Sequence, residues 1–337
     1  SAASDVYKRQ YRVNETAKIL HPGYRTAKLA EIKQNTADTK TFVFDTGKSF
    51  YFRAGQYVTL GCKVGESEVS RPYAISSSPK GALKGRVALT VKKSGFFSGY
   101  LFDNAAVGDE FTIGDPSGDF YYEPVKDAAH VVALAGGSGI TPFYSMAQAI
   151  ADGTEDFKLT IIYGAKKENE IIFKTELDKL VSEKIKLVYV LSDEVKEGYE
   201  HGFIGAEIIK KYAEGDFTVM MCGPAAMYAF ADKELTAFRL PLRRIKKEAN
   251  CAGLRDVKEQ EFCLTVRIGF DTFNVPADSR ETVLTAMERG GLRVPSKCRA
   301  GGCGFCHSKL VSGKFSIAGA DKRRLADEKF GYFHPCC

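Results

Sequence analysis

Three cysteines crowd into nine residues near the end of this 337-residue chain, in the stretch CRAGGCGFC at 298–306. Cys298, Cys303 and Cys306 have the spacing C-x4-C-x2-C, which suits thiolate ligation of a [2Fe-2S] cluster. Four thiolates must converge on two irons, so the loop has to fold back over the cluster. Gly301, Gly302 and Gly304 permit the positive φ angles and close backbone approach that this demands. Zinc more often takes paired C-x2-C knuckles, and the chain has one such pair. The fourth ligand must come from a distant element. Beyond Cys306 the chain offers Cys336 and Cys337, and spacing alone leaves both open. An iron-sulfur centre moves single electrons, so the remainder of the chain must feed it.

A second group of residues could hold a nucleotide. HVVALAGGSGITPFYSMAQAI reads as a buried strand, a glycine turn and an amphipathic helix. That arrangement brings backbone N–H groups and a helix N-terminus to a phosphate. Gly136, Gly137, Gly139 and Thr141 are the candidates; with Pro142 the pattern is G-x-G-x-x-P, not the strict G-x-G-x-x-G. The next strand, LTIIYGA, ends without an acid, and Lys166 and Lys167 are followed by Glu168 and Glu170. A further buried strand, FTVMM, runs into Cys222, Gly223 and Pro224 before another helix. No Ser-His-Asp arrangement or paired carboxylate motif appears, which agrees with chemistry carried by cofactors.

These residues need three kinds of scaffold. Residues 27–125 alternate short β-branched and aromatic runs (KTFVFDT, GQYVTLGCKV, RVALTVKK, DEFTIGD) with Gly, Pro and Asp, the pattern of an antiparallel barrel. Over 126–248 the runs HVVALA, LTIIYGA, IKLVYVL and FTVMMCG are almost wholly apolar, as in strands of a parallel sheet covered on both faces. A polar connector at 249–260 reads as a linker, and 261–337 as a small α+β unit holding the cysteine loop. Residues 1–26 carry little pattern and are expected to form a disordered leader. With 44% hydrophobic and 27% charged residues, the chain can support several globular domains. The nine cysteines are odd in number and unevenly placed, which argues against a disulfide scaffold and for thiolate ligands. Cys62, Cys251 and Cys263 read as packing or incidental residues, and His201, His307 and His334 as isolated groups that sit on the surface or support other residues rather than catalyse. Apolar runs are strand-sized, so no membrane span is expected. No secretory signal appears, making the cytoplasm the default compartment. The net charge of +6 reads as scattered, with one dense block at Arg243, Arg244, Lys246 and Lys247; no aromatics interleave with it, so no nucleic-acid partner is expected.

FRAGQYVTLG, EVSRPYAISSSP, GGSGITP and MCGPAAM, in that order, resemble the ferredoxin-NADP reductase superfamily over residues 27–248. The resemblance implies a barrel that binds flavin and an α/β domain that binds nicotinamide nucleotide. Arg71 and Tyr73 match the R-x-Y-[ST] signature, Ala74 departs from its last position, and Ser77 matches a further serine. By that likeness Arg71 pairs with flavin phosphate, Tyr73 packs beside the flavin, and Gly95 to Ser98 form a second phosphate turn, with Lys92 and Lys93 nearby. Cys222, Gly223 and Pro224 would border the nicotinamide, with Cys222 near the hydride's path and not a nucleophile. Residues 261–337 resemble plant-type ferredoxin domains of β-grasp fold, and GYFHPC is similar to their closing segment. That selects Cys336 as the fourth ligand, with Cys337 as the back-up. Such domains continue through another strand where this chain reaches Cys337.

The resemblance implies FAD, with FMN as second choice, a [2Fe-2S] cluster and a protein electron acceptor, an oxygenase or another redox protein. The reading is an electron-transfer reductase; an electron-transfer subunit of a larger dehydrogenase complex and a non-catalytic redox sensor are the alternatives. No arginine lies between Arg86 and Arg239. Arginine is the better fork for a 2'-phosphate, so NADH is expected, with NADPH as the alternative.

Overall fold

A computed structural model describes residues 23–65, 67–248, 258–318 and 321–337. Most of the leader expected at 1–26, and most of the linker expected at 249–260, lie outside the described residues. The chain divides into two compact units: one runs to Leu60 and resumes over Tyr73–Glu248, and the other combines Gly61–Pro72 with the chain after Glu248.

Six antiparallel strands open the chain: β1 (Tyr24–Thr36), β2 (Thr39–Asp45), β3 (Tyr57–Val64), β4 (Ser67–Ala74), β5 (Arg86–Lys92) and β6 (Glu110–Gly114). β1 starts three residues before the boundary expected at 27. Alternation builds the sheet: Phe42 and Phe44 on β2, and Val87, Leu89 and Val91 on β5, are fully buried or nearly so, as the two-residue period of a strand requires. The sheet order is β4-β3-β6-β1-β2-β5. Ile75, just past β4, bridges Leu89 of β5 and so brings the two end strands together, as the barrel reading anticipates. Lys92 and Lys93, considered for phosphate, instead pair with Asp38 at 3.1 Å and Asp103 at 2.7 Å.

The next sheet is parallel and contains β7 (His130–Gly136), β8 (Lys158–Ala165), β9 (Ile185–Leu191), β10 (Glu200–His201), β11 (Thr218–Cys222) and β12 (Ile245–Lys247), in the order β10-β9-β8-β7-β11-β12. All of β7 and β11 is buried, which explains their unbroken apolar sequences. Consequently β7 and β11 are neighbours, with Ala135 opposite Cys222. The glycine turn and the Cys-Gly-Pro turn therefore leave the same edge side by side. Three of the four cations of the basic block at 243–247 are paired where they lie: Arg244 with Asp216, Lys246 with Asp127 and Lys247 with Asp232.

In the second unit β13 (Glu261–Ile268) and β14 (Asp271–Asp278) form an antiparallel hairpin, and β15 (Ser308–Lys309) pairs with β16 (Tyr332–Phe333). The helix Val283–Arg289 begins at Thr282, whose hydroxyl accepts from the Thr285 N–H, a side-chain cap for an otherwise orphaned donor. Leu284 and Met287 from that helix pack with Cys306 and Cys336. The core of this unit is thus built against the cysteine loop.

Candidate functional site: two thiol pairs and two nucleotide turns

The cysteine loop brings its thiols together two by two. Cys298 and Cys303 lie near enough to shift each other's protonation, as do Cys306 and Cys336, which share one core cluster. In each pair one thiol is held below its ordinary value by its partner, Cys298 at about 5 and Cys336 at about 3, and the other is pushed up. Backbone N–H groups support the sulfurs: Ala300 donates to Cys298 at 3.4 Å and Phe305 to Cys303 at 3.5 Å. Among the described residues no three His, Cys, Asp or Glu side chains are gathered to hold a single metal ion. The donor set and its N–H cradle fit a [2Fe-2S] cluster. Cys337 lies 3.8 Å from the sulfur of Cys336.

Three features of the loop differ from expectation. Gly301 and Gly304 have φ of 72° and 67°, but Gly302 is not among the positive-φ glycines, and Arg299 takes the left-handed conformation instead, at 51°. Arg299 is held by an ion pair to the buried carboxylate of Glu288. His334 is not an isolated group: it is buried, with Nδ1 donating to the Gly301 carbonyl at 2.6 Å and Nε2 3.5 Å from Asp327. Pinning Gly301 from behind fixes the turn between Cys298 and Cys303, a role nothing in the spacing of a lone histidine reveals.

The flavin candidates fall into two groups. Tyr73 stacks on Phe97 with ring centroids 6.4 Å apart, so the residue after R-P and the turn 95–98 converge. Ser98 is buried, and its Oγ accepts from the N–H groups of Ser94 and Gly95, each at 2.9 Å. This hydroxyl closes a capping box at the start of the helix Phe96–Asn104. A side chain on Gly95 would meet open space, so its backbone is open to an incoming group. Ser77 accepts from the Ala88 N–H at 3.1 Å, and its carbonyl accepts from Ser145 at 2.7 Å; it ties the barrel to the helix Thr141–Ala151. In the second unit, Arg71 donates to Glu288 at 3.0 Å and to the Ser70 carbonyl at 2.7 Å. Its guanidinium is thus within reach of a carboxylate where the sequence expected a phosphate.

At the nucleotide turns the packing is closest. A Cβ on Gly139 would lie 2.0 Å from the Cys222 carbonyl oxygen, a distance no side chain survives, so the two turns touch backbone to backbone. Gly136 and Gly223 both back onto Met227. Thr141 is buried, and its hydroxyl donates to the Ser138 carbonyl at 2.7 Å, which shapes the turn ahead of the helix. Pro224 stands just ahead of the helix Ala225–Leu235. Tyr163 donates to the Gly137 carbonyl at 3.0 Å from β8. The turn formed by Gly136, Gly137 and Gly139 at a helix start fits a bound pyrophosphate.

The Cys222 thiol donates to the carboxylate of Glu248 at 2.6 Å. Burial, reinforced by that neighbouring carboxylate, pushes Cys222 well above its ordinary value, and burial also pushes Glu248 up. Cys222 therefore stays a protonated thiol, unsuited to nucleophilic attack. Tyr228 links the group, donating to the Glu248 carbonyl at 3.1 Å and accepting from the Gly223 N–H at 3.3 Å. Sequence reasoning missed Glu248 because it was taken as a domain end. Its place at the C-terminal end of a parallel strand was the available signal.

Comparisons with known proteins agree with this division. Residues 26–122 match the oxidoreductase FAD-binding domain, 133–233 the oxidoreductase NAD-binding domain, and 268–337 the 2Fe-2S iron-sulfur cluster binding domain. The glycine betaine monooxygenase reductase subunit of Chromohalobacter salexigens is 28% identical, covering 94% of this chain and 93% of that protein. The NADH oxidoreductase HCR of Escherichia coli is also 28% identical, over 90% of this chain and 92% of its own length. In fold the chain is similar to phthalate dioxygenase reductase, with a TM-score of 0.70 at 21% identity, covering 94% of this chain and 95% of that one. No helix among the described residues is long and apolar enough to cross a membrane. With its FAD, NAD and cluster domains in this order, the chain belongs to the ferredoxin-NADP reductase superfamily, among the members that carry a C-terminal plant-type [2Fe-2S] domain.

Proposed function

We propose that this protein is the reductase component of an oxygenase system, taking electrons from NADH and delivering them singly to a partner protein. The observation that carries the reading is the joining of a two-by-two thiol loop to flavin and nucleotide domains in one chain. Bound together, the three groups supply hydride acceptance, the splitting of an electron pair and single-electron release. Two acceptor centres are then reduced for each NADH converted to NAD+ and a proton.

The residues divide this work. Cys298 and Cys303 hold one iron and Cys306 and Cys336 the other; the Cys306–Cys336 contact supports Cys336 over Cys337. In the first unit the backbone of Gly95 to Ser98 holds the flavin phosphate, and Tyr73 packs against the flavin. Gly136, Gly137, Gly139 and Thr141 hold the nucleotide's pyrophosphate. Cys222, Gly223 and Pro224 border the nicotinamide, and Glu248 keeps Cys222 protonated. The domain bounds follow as 27–125, 126–248 and 261–337.

NADH is favoured by the absence of arginine between Arg86 and Arg239 and by Glu168, whose carboxylate draws Lys196 and Tyr199 to itself just past β8. The names of the relatives support the same cofactor and an oxygenase as acceptor. Steady-state dye reduction with each nucleotide tests the choice. A higher kcat/KM with NADH is expected; a higher value with NADPH would reverse it.

A further inference from the structure

The net charge of +6 lies in one segment. Residues 290–337 hold nine Lys and Arg against three Asp and Glu, while the other 289 residues hold 39 of each and balance. The basic residues are therefore not scattered, as the sequence reading had it. Their imbalance belongs to the segment with all four proposed cluster cysteines.

Within that segment the cations surround the exposed lip of the cysteine loop. The Lys297 ammonium lies 4.6 Å from the ring centre of Phe305. Lys322 reaches the Ala300 carbonyl at 3.4 Å. A guanidinium nitrogen of Arg324 lies 3.6 Å from where a Cβ on Gly304 would stand. Between them Gly302, Cys303 and Phe305 are exposed, Phe305 by 45%. Asp321 and Asp327 are already engaged, with Arg323 and Arg324. Among the described residues Lys297, Lys314 and Lys322 form no ion pair with a carboxylate. Glu68 and Glu288, outside the segment, pair with Arg293 and Arg299, and two ferric ions, two sulfides and four thiolates would leave a bound cluster at about −2, so about two of the segment's six surplus positive charges stay uncompensated.

We propose that this lip, Gly302 to Phe305 ringed by Lys297, Lys322 and Arg324, is the docking surface for an electron-accepting protein that presents an acidic face. The inference rests on the reductase reading given above. Each encounter removes one electron, so NADH, which yields two electrons and a proton, serves two encounters. Opposite charge orients such encounters and raises their rate by about 10- to 1,000-fold at low ionic strength.

The test uses the full-length holoprotein and two haem proteins of opposite charge, acidic cytochrome b5 and basic cytochrome c. Calorimetry without nucleotide measures binding to the oxidised protein, and stopped flow with NADH then follows reduction. Cytochrome b5 should bind at least about tenfold more tightly than cytochrome c at low salt. Its binding should weaken about tenfold or more as the Debye length shrinks from about 30 to 8 Å. Lys297→Glu with Lys322→Glu should weaken binding at low salt with the loss fading at high salt, and an unchanged visible spectrum will show that the cluster is intact. Should that double variant lose its cluster, the single variant Lys297→Glu and the wild-type salt dependence decide the matter. Salt-independent binding, or a preference for cytochrome c, overturns the proposal, as does tighter binding of a double-stranded oligonucleotide. Salt-sensitive binding of cytochrome b5 without any NADH-driven reduction supports the surface and counts against the reductase reading instead.

Discussion

Neighbouring residues can have different fates, and Cys336 and Cys337 show why. Cys336 is buried in the core with Leu284, Met287 and Cys306, whereas Cys337 only packs against that cluster. Replacing Cys336 with Ser should abolish or strongly alter the low-temperature EPR signal of the reduced protein, because a two-iron cluster then lacks one of its four thiolates. Cys337→Ser should leave the signal in place; the reverse result would show that the neighbour is the ligand. The three clustered cysteines were legible from spacing alone, since ligation imposes a fixed pattern. Glu248 and His334 were not, because each acts through a partner distant in sequence: Glu248 meets Cys222 across 26 residues and His334 meets Gly301 across 33. Arg71 was legible as a fork for an anion, yet not its pairing with Glu288, 217 residues on.

At the scale of elements, the parallel strands were the easiest to read, because burial on both faces removes every polar position from β7 and β11 except those with a bonding partner. His130 is such an exception: it opens β7, buried, with Nε2 2.9 Å from the Thr160 hydroxyl and Nδ1 3.1 Å from the Glu214 carbonyl. Burial lowers its pKa below the ordinary 6.5. The unfolded chain therefore takes up this proton first, and stability falls as pH drops below about 6.5 and through the lowered folded value. Thermal melts of wild type and His130→Asn should show that the variant loses part of this acid sensitivity; parallel curves would contradict it. What the pattern could not show is how closely the turns after β7 and β11 approach. Gly139→Ala forces a Cβ into the Cys222 carbonyl, and should cost at least about 3 kcal/mol in denaturant unfolding while weakening nucleotide binding. A neutral Gly139→Ala would mean the turns do not touch.

Across the whole molecule, the three domains were legible in order because each has its own sequence texture: alternating strands, unbroken apolar strands, and a glycine-rich cysteine loop. The location of the net charge was obscured by its sum, which gives no position. The central claim is that electrons entering as hydride leave through the cluster. Low-temperature EPR of the holoprotein, frozen after anaerobic addition of NADH, tests it most directly. A reduced [2Fe-2S] signal approaching about one spin per chain is predicted. Flavin bleached by NADH with the EPR spectrum silent, in protein shown to contain iron and sulfide, would contradict the account.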